Sequence, residues 1–86
     1  MSQYYKLYKA IKNNPYDVDF KDIDKLLTKV GGFDVRNSGS SHYVYYHPDL
    51  PDNITIPINR PVKPIYIKKA IEAFDRTNPE FGYGGD

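Results

Sequence analysis

Two histidines, His42 and His47, are the side chains of this 86-residue chain best suited to moving protons near neutral pH. A two-histidine acid–base site needs both imidazoles around one phosphate. Residues five apart in a regular strand project to opposite faces, so without a bulge His42 and His47 cannot form that pair. His47 precedes Pro48 in a turn-like His-Pro-Asp, where an exposed or capping role is the usual outcome. His42 follows Ser38-Gly39-Ser40-Ser41, where a small-residue turn enters a strand. Backbone N–H groups and hydroxyls there can hold a phosphate while the imidazole takes or gives a proton. A lone histidine at a strand start is also a common structural feature, and spacing alone leaves both readings of His42 open.

Other chemistries have less support. Gly39-Ser40-Ser41 is not a nucleophile elbow, and no Ser–His–Asp order follows from the spacing. Asp17, Asp19, Asp22 and Asp24 are dense, but they surround a helix start, where carboxylates complement the macrodipole. They lack the glycine and terminal glutamate of a calcium loop, so no metal site or cofactor is expected. Lys63, Lys68 and Lys69 bracket the start of the last helix, a place that attracts phosphate, although a solvated lysine-rich turn reads the same way. Net charge is only +1. From Arg36 to Lys69, however, Arg36, Arg60, Lys63, Lys68 and Lys69 stand against only Asp49 and Asp52, and the last residues reverse the sign. That distribution makes Arg36, Arg60 and the three lysines candidate contacts to a polyanion. Of the nine tyrosines, Tyr43, Tyr45 and Tyr46 fall in one strand, where some must fill the core and one facing outward can stack on a base.

The elements that must position these residues follow from periodicity. Tyr4, Leu7, Tyr8 and Ile11 make one face of a short helix that stops at Asn13-Asn14-Pro15. Asp19 can cap a second helix with Phe20, Ile23, Leu27 and Val30 as its apolar stripe, ended by Gly31-Gly32. The period then shortens to two. Strands are expected over Phe33–Arg36, His42–His47 and Ile54–Ile58, and Pro57 implies that the third lies at an edge or ends near it. Pro64 opens a last helix with Ile67, Ala70, Ile71 and Phe74 on one face and Glu72–Arg76 as an i, i+4 pair. It runs out at Asn78-Pro79 into a glycine-rich tail. The order is that of an α+β domain, a three-stranded antiparallel sheet with helices packed on one face.

The chain is short enough for one domain, burying roughly 60–65% of the surface its unfolded form exposes. It divides into an N-terminal helical extension (1–16), a core (17–75) and a flexible tail (78–86). With no cysteine there is neither a disulfide framework nor a thiolate metal site. No apolar run approaches membrane-spanning length and the first ten residues lack a signal-peptide pattern, so a soluble cytoplasmic protein with no membrane partner is expected.

The residues also carry a resemblance. Phe20-Lys-Asp-Ile, Leu26-Leu27, Gly32-Phe33, Gly39-Ser40-Ser41-His42, His47-Pro48-Asp49, Ile54-Thr-Ile-Pro-Ile58 and Lys63-Pro64 occur in an order that resembles the HicA-type toxins of HicAB toxin–antitoxin pairs, over about positions 17–75. The resemblance implies a fold like a double-stranded-RNA-binding domain, with an extra N-terminal helix here. It implies an mRNA-cleaving endoribonuclease whose catalytic histidine lies in a Gly-Ser-His motif, and a HicB-like antitoxin as partner. Carried over by position, the motif histidine is His42 and the motif serine Ser41. One residue is inserted. Either Ser40 stands at the family's glycine position, or the turn is one residue longer and Gly39 serves instead. The expectation is a metal-independent endoribonuclease with His42 as general acid or base; the alternative is a non-catalytic RNA-binding or adaptor domain on the same fold.

Overall fold

A computed structural model describes residues 3–37, 39, 41–59 and 61–82. Helix α1 (Gln3–Asn13) is followed by α2 (Phe20–Lys25), which continues without a break into a π-helical turn over Leu26–Val30. Strands β1 (Asp34–Arg36), β2 (His42–Tyr46) and β3 (Ile54–Pro57) come next, then α3 (Pro64–Thr77) and the short α4 (Pro79–Gly82). The sheet is an antiparallel meander in the order β1-β2-β3. β3 is therefore an edge, as Pro57 requires, because its missing N–H leaves one ladder position empty.

Register decides which side chains share a face. Tyr45 lies opposite Val35 and Ile54, and Tyr43 opposite Ile56. Tyr45 and Ile56 are fully buried, and Phe20 of α2 packs on the Tyr43 ring at 4.8 Å. This face is covered by α2 and α3, whose apolar stripes (Ile23, Leu26, Leu27; Ile67, Ala70, Phe74) form the core with it. The opposite face carries the even-numbered side chains of β2 and no part of that core.

Three details depart from the expected elements. Asp19 makes no side-chain cap; its carbonyl instead accepts the N–H groups of Asp22 and Ile23. The end of α2 widens, with the Gly31 N–H reaching the Leu26 carbonyl and the Thr28 hydroxyl donating to the Asp24 carbonyl, a bond that competes with the regular ladder. Gly31 is needed there for space: a Cβ would come within 2.9 Å of the Leu27 carbonyl oxygen and 3.0 Å of the Phe74 ring. Lastly, Glu72 and Arg76 form no ion pair among the described residues; Lys12 and Asp75 do, at 3.2 Å.

The first and last helices join the core. Tyr8 and Ile11 of α1 are 1% and 3% exposed. The Tyr8 hydroxyl donates to Asp75 at 2.6 Å and accepts from Lys12 at 2.9 Å, fastening α1 to α3. Where a tail was expected from 78 onward, α4 forms and Phe81 packs edge-on against Tyr8 and Phe74. Tyr83 to Asp86 lie outside the described residues. No helix among the described residues is long and apolar enough to cross a membrane.

Candidate functional site

His42 opens β2 opposite Pro57, and strand alternation turns its exposed imidazole to the helix-free face. Val44 and Tyr46 follow it on that face, with Arg36 beside Val44 and Asp34 beside Tyr46 on β1. Arg36 is thus the diagonal neighbour of His42 across the ladder.

The loop that delivers His42 is braced by Asn37. Its side-chain oxygen accepts the Gly39 N–H at 2.9 Å, and its amide nitrogen donates to the His42 carbonyl at 3.1 Å. One side chain therefore closes the turn and holds the first residue of β2. Gly39 has φ +90° with nothing near its missing Cβ, so glycine is required for conformation and not for space. Gly39 is therefore at a position in this loop whose conformation favours glycine. Ser41 is exposed, and its carbonyl accepts the Ile58 N–H at 2.8 Å, tying the loop end to the edge strand. Ser40 and Arg60 lie outside the described residues.

His47 has a different task. Its Nδ1 accepts the Asp49 N–H at 3.0 Å, its carbonyl accepts the Leu50 N–H, and its ring lies 5.0 Å from that of buried Phe33. It caps the turn after β2 on the side away from His42.

The structure separates the basic residues. The Arg36 guanidinium stands over the Tyr46 ring, 5.7 Å from its centroid, on the face of His42. Lys63 is the residue before α3 and makes no side-chain cap. Lys68 reaches over the Tyr16 ring at 5.3 Å, beside the groove between α1 and α3. Lys69 lines a different groove, with Leu50–Ile54 and Arg76 along the β3 edge. Lys68 and Lys69 thus serve two sides of α3. Among the described residues no group of three or more His, Asp or Glu side chains is gathered as a metal-ligating set. The four early aspartates are dispersed, and Asp24 accepts the buried Tyr45 hydroxyl at 2.6 Å.

Sequence reasoning missed one neighbour of His42 and left another undecided among the three tyrosines of its strand. Asn37 was legible as a turn residue, but its bond to the His42 carbonyl crosses the loop and leaves no local signal. Tyr46 shares the parity of His42 and could have been placed on its face by counting along β2.

Comparison with known proteins gives one family match. A family model described as the HicA toxin of bacterial toxin–antitoxin systems matches residues 20–75, which include every residue of the sheet and all of α2. No curated protein and no solved structure matches the chain.

Proposed function

The chain belongs to the HicA toxin family, and from that premise we propose that it is an endoribonuclease that cleaves mRNA with His42 as its proton-transfer group. The observation that carries the reading is the position of His42: exposed, on the open sheet face, at the end of a glycine-bearing loop held in place by Asn37. A lone core histidine would have faced the other way, as His47 does.

In the reaction proposed, the ribose 2′-oxygen attacks the adjacent phosphorus as its proton departs. The bond from phosphorus to the 5′-oxygen breaks, and that oxygen takes up a proton. His42 performs one of these two transfers, as base or as acid. A single positioned group of this kind accelerates transfer roughly 10²–10⁴-fold, enough for a toxin that needs only modest turnover. Negative charge gathers on the phosphate oxygens, and Arg36 is the cation nearest in the ladder to offset it. Lys63, Lys69 and Arg60 are proposed to hold the rest of the RNA backbone, while Lys68, over Tyr16 on the other side of α3, is left outside that path. No step in this scheme calls for a metal ion.

The partner proposed is a HicB-like antitoxin that covers His42 and its sheet face. Acidic groups opposite the cations of the toxin would speed that association. One assay tests the reading. Purified protein incubated with RNA in excess EDTA is expected to leave 2′,3′-cyclic phosphate and 5′-hydroxyl ends, and stoichiometric antitoxin should stop it. Activity lost in chelator and restored by Mg²⁺ or Mn²⁺ would replace the mechanism with a metal-assisted one.

A further inference from the structure

Further along β2 from His42, on the same open sheet face, lies a depression of about 350 Å³, lined by Arg36, Val44, Tyr46 and Asn53. Its composition is uneven in an informative way. Val44 supplies an apolar floor, Tyr46 an aromatic ring, Asn53 an exposed amide and Arg36 an exposed cation. Tyr46 is the one tyrosine of β2 that neither fills the core nor packs on α2. Tyr45 is fully buried against Asp24, and Tyr43 packs on Phe20. Asn53 immediately precedes β3, where the Tyr45–Ile54 register brings it alongside Tyr46 on the same face.

We infer that this depression is a base-binding subsite, taking one unpaired base of a single-stranded stretch of RNA at a nucleotide flanking the bond that is cut. Tyr46 would stack the base, Asn53 would hydrogen-bond its edge, and Arg36 would hold its phosphate. The Arg36 guanidinium stands over the Tyr46 ring, and an aromatic side chain with a cation packed on it is a surface that unpaired bases use by stacking, because every base has a π-face. On β1, Asp34 lies opposite Tyr46 and Arg36 opposite Val44. A phosphate is repelled by Asp34 and attracted by Arg36. His42 and Tyr46 are four positions apart along β2, about 13 Å at the usual rise. That is more than one nucleotide's length, which places the stacked base beside the cleaved linkage and not on it. The inference rests on the reading of this face as a ribonuclease site and adds to it a position where the enzyme senses a base.

The test uses a short single-stranded RNA cut at one bond, with the base removed from one flanking nucleotide at a time. With the wild-type chain, removal at one flanking position is expected to lower kcat/KM about 5-fold or more, the scale of one lost stack. In Tyr46→Leu the intact RNA should be cut about that much more slowly, and removal of the same base should have no further effect. Tyr46→Phe should behave as wild type. Equal base-removal penalties in wild type and Tyr46→Leu, or no penalty at any flanking position, would overturn the subsite while leaving the ribonuclease reading intact. A wild-type chain that cuts no RNA would remove that reading, and the subsite with it.

Discussion

At the scale of single residues, the two histidines differ because strand parity gives them different neighbours. His47 is held by the Asp49 N–H and by Phe33, and its side chain is only 12% exposed. His47→Ala removes a cap and opens a gap against an aromatic ring, a loss of about 1–3 kcal/mol. We therefore expect a lower melting temperature by circular dichroism, with RNA cleavage at 25 °C retained. Cleavage abolished in a variant that still folds would put His47 in the chemistry. The sequence carried much of this. Five-residue spacing excluded the histidine pair, and His-Pro-Asp signalled a turn. It did not carry Asn37, because a side chain that bonds residues on both sides of a loop is defined only once the loop is closed.

At the scale of elements, periodicity placed both long helices and all three strands; the long helices, β2 and β3 bury one face against the same core, and β1, exposed along its length, is held by its pairing with β2. It was less informative where tertiary packing overrides local preference. The stripe Phe20–Val30 gave no warning of the π-helical turn, which reflects the close passage of Gly31 against Phe74 and the Thr28 hydroxyl on the Asp24 carbonyl. Nor did Asn78-Pro79 announce α4, which forms because Phe81 finds Tyr8 and Phe74. The join between α2 and β2 is a part-buried polar contact, the Tyr45 hydroxyl on Asp24. Burial first, then that bond and the Asp24 charge, hold the phenol well above its ordinary value of 10.0. Because the folded value is the higher one, this contribution to stability is fully present below pH 10.0, where Tyr45 is protonated in both states. It is lost as pH rises further, because the unfolded chain ionises there first. We expect the melting temperature of the wild type to fall more steeply between about pH 9 and 11 than that of Tyr45→Phe, whose cost of about 1–3 kcal/mol is already present at pH 7. Parallel pH profiles would show that the contact is not coupled to folding.

At the scale of the whole molecule, helices cover one face of the sheet and leave the other to His42, Arg36 and Tyr46. The basic segment noted in the sequence is divided by this arrangement. Linear order could not show that neighbours on α3 reach different grooves, since adjacent helical residues lie about 100° apart. Lys69 lines the groove along the β3 edge, whereas Lys68 lies over Tyr16 toward α1. Lys69→Glu is therefore expected to lower the slope of log affinity against log salt by roughly 0.7–0.9, one phosphate contact, and Lys68→Glu to change it little. Titrations of a non-cleaved RNA analogue at several salt concentrations measure both. Equal losses would mean that RNA wraps α3 on both sides.

The most direct test of the account is single-turnover cleavage of a defined RNA by wild type and His42→Ala, with circular dichroism confirming that both are folded. A loss of about 10²-fold or more in the cleavage rate is expected with RNA binding largely kept, because the role proposed for His42 is to move a proton and that proposed for the cations is to hold the backbone. Cleavage by His42→Ala at near the wild-type rate would contradict it.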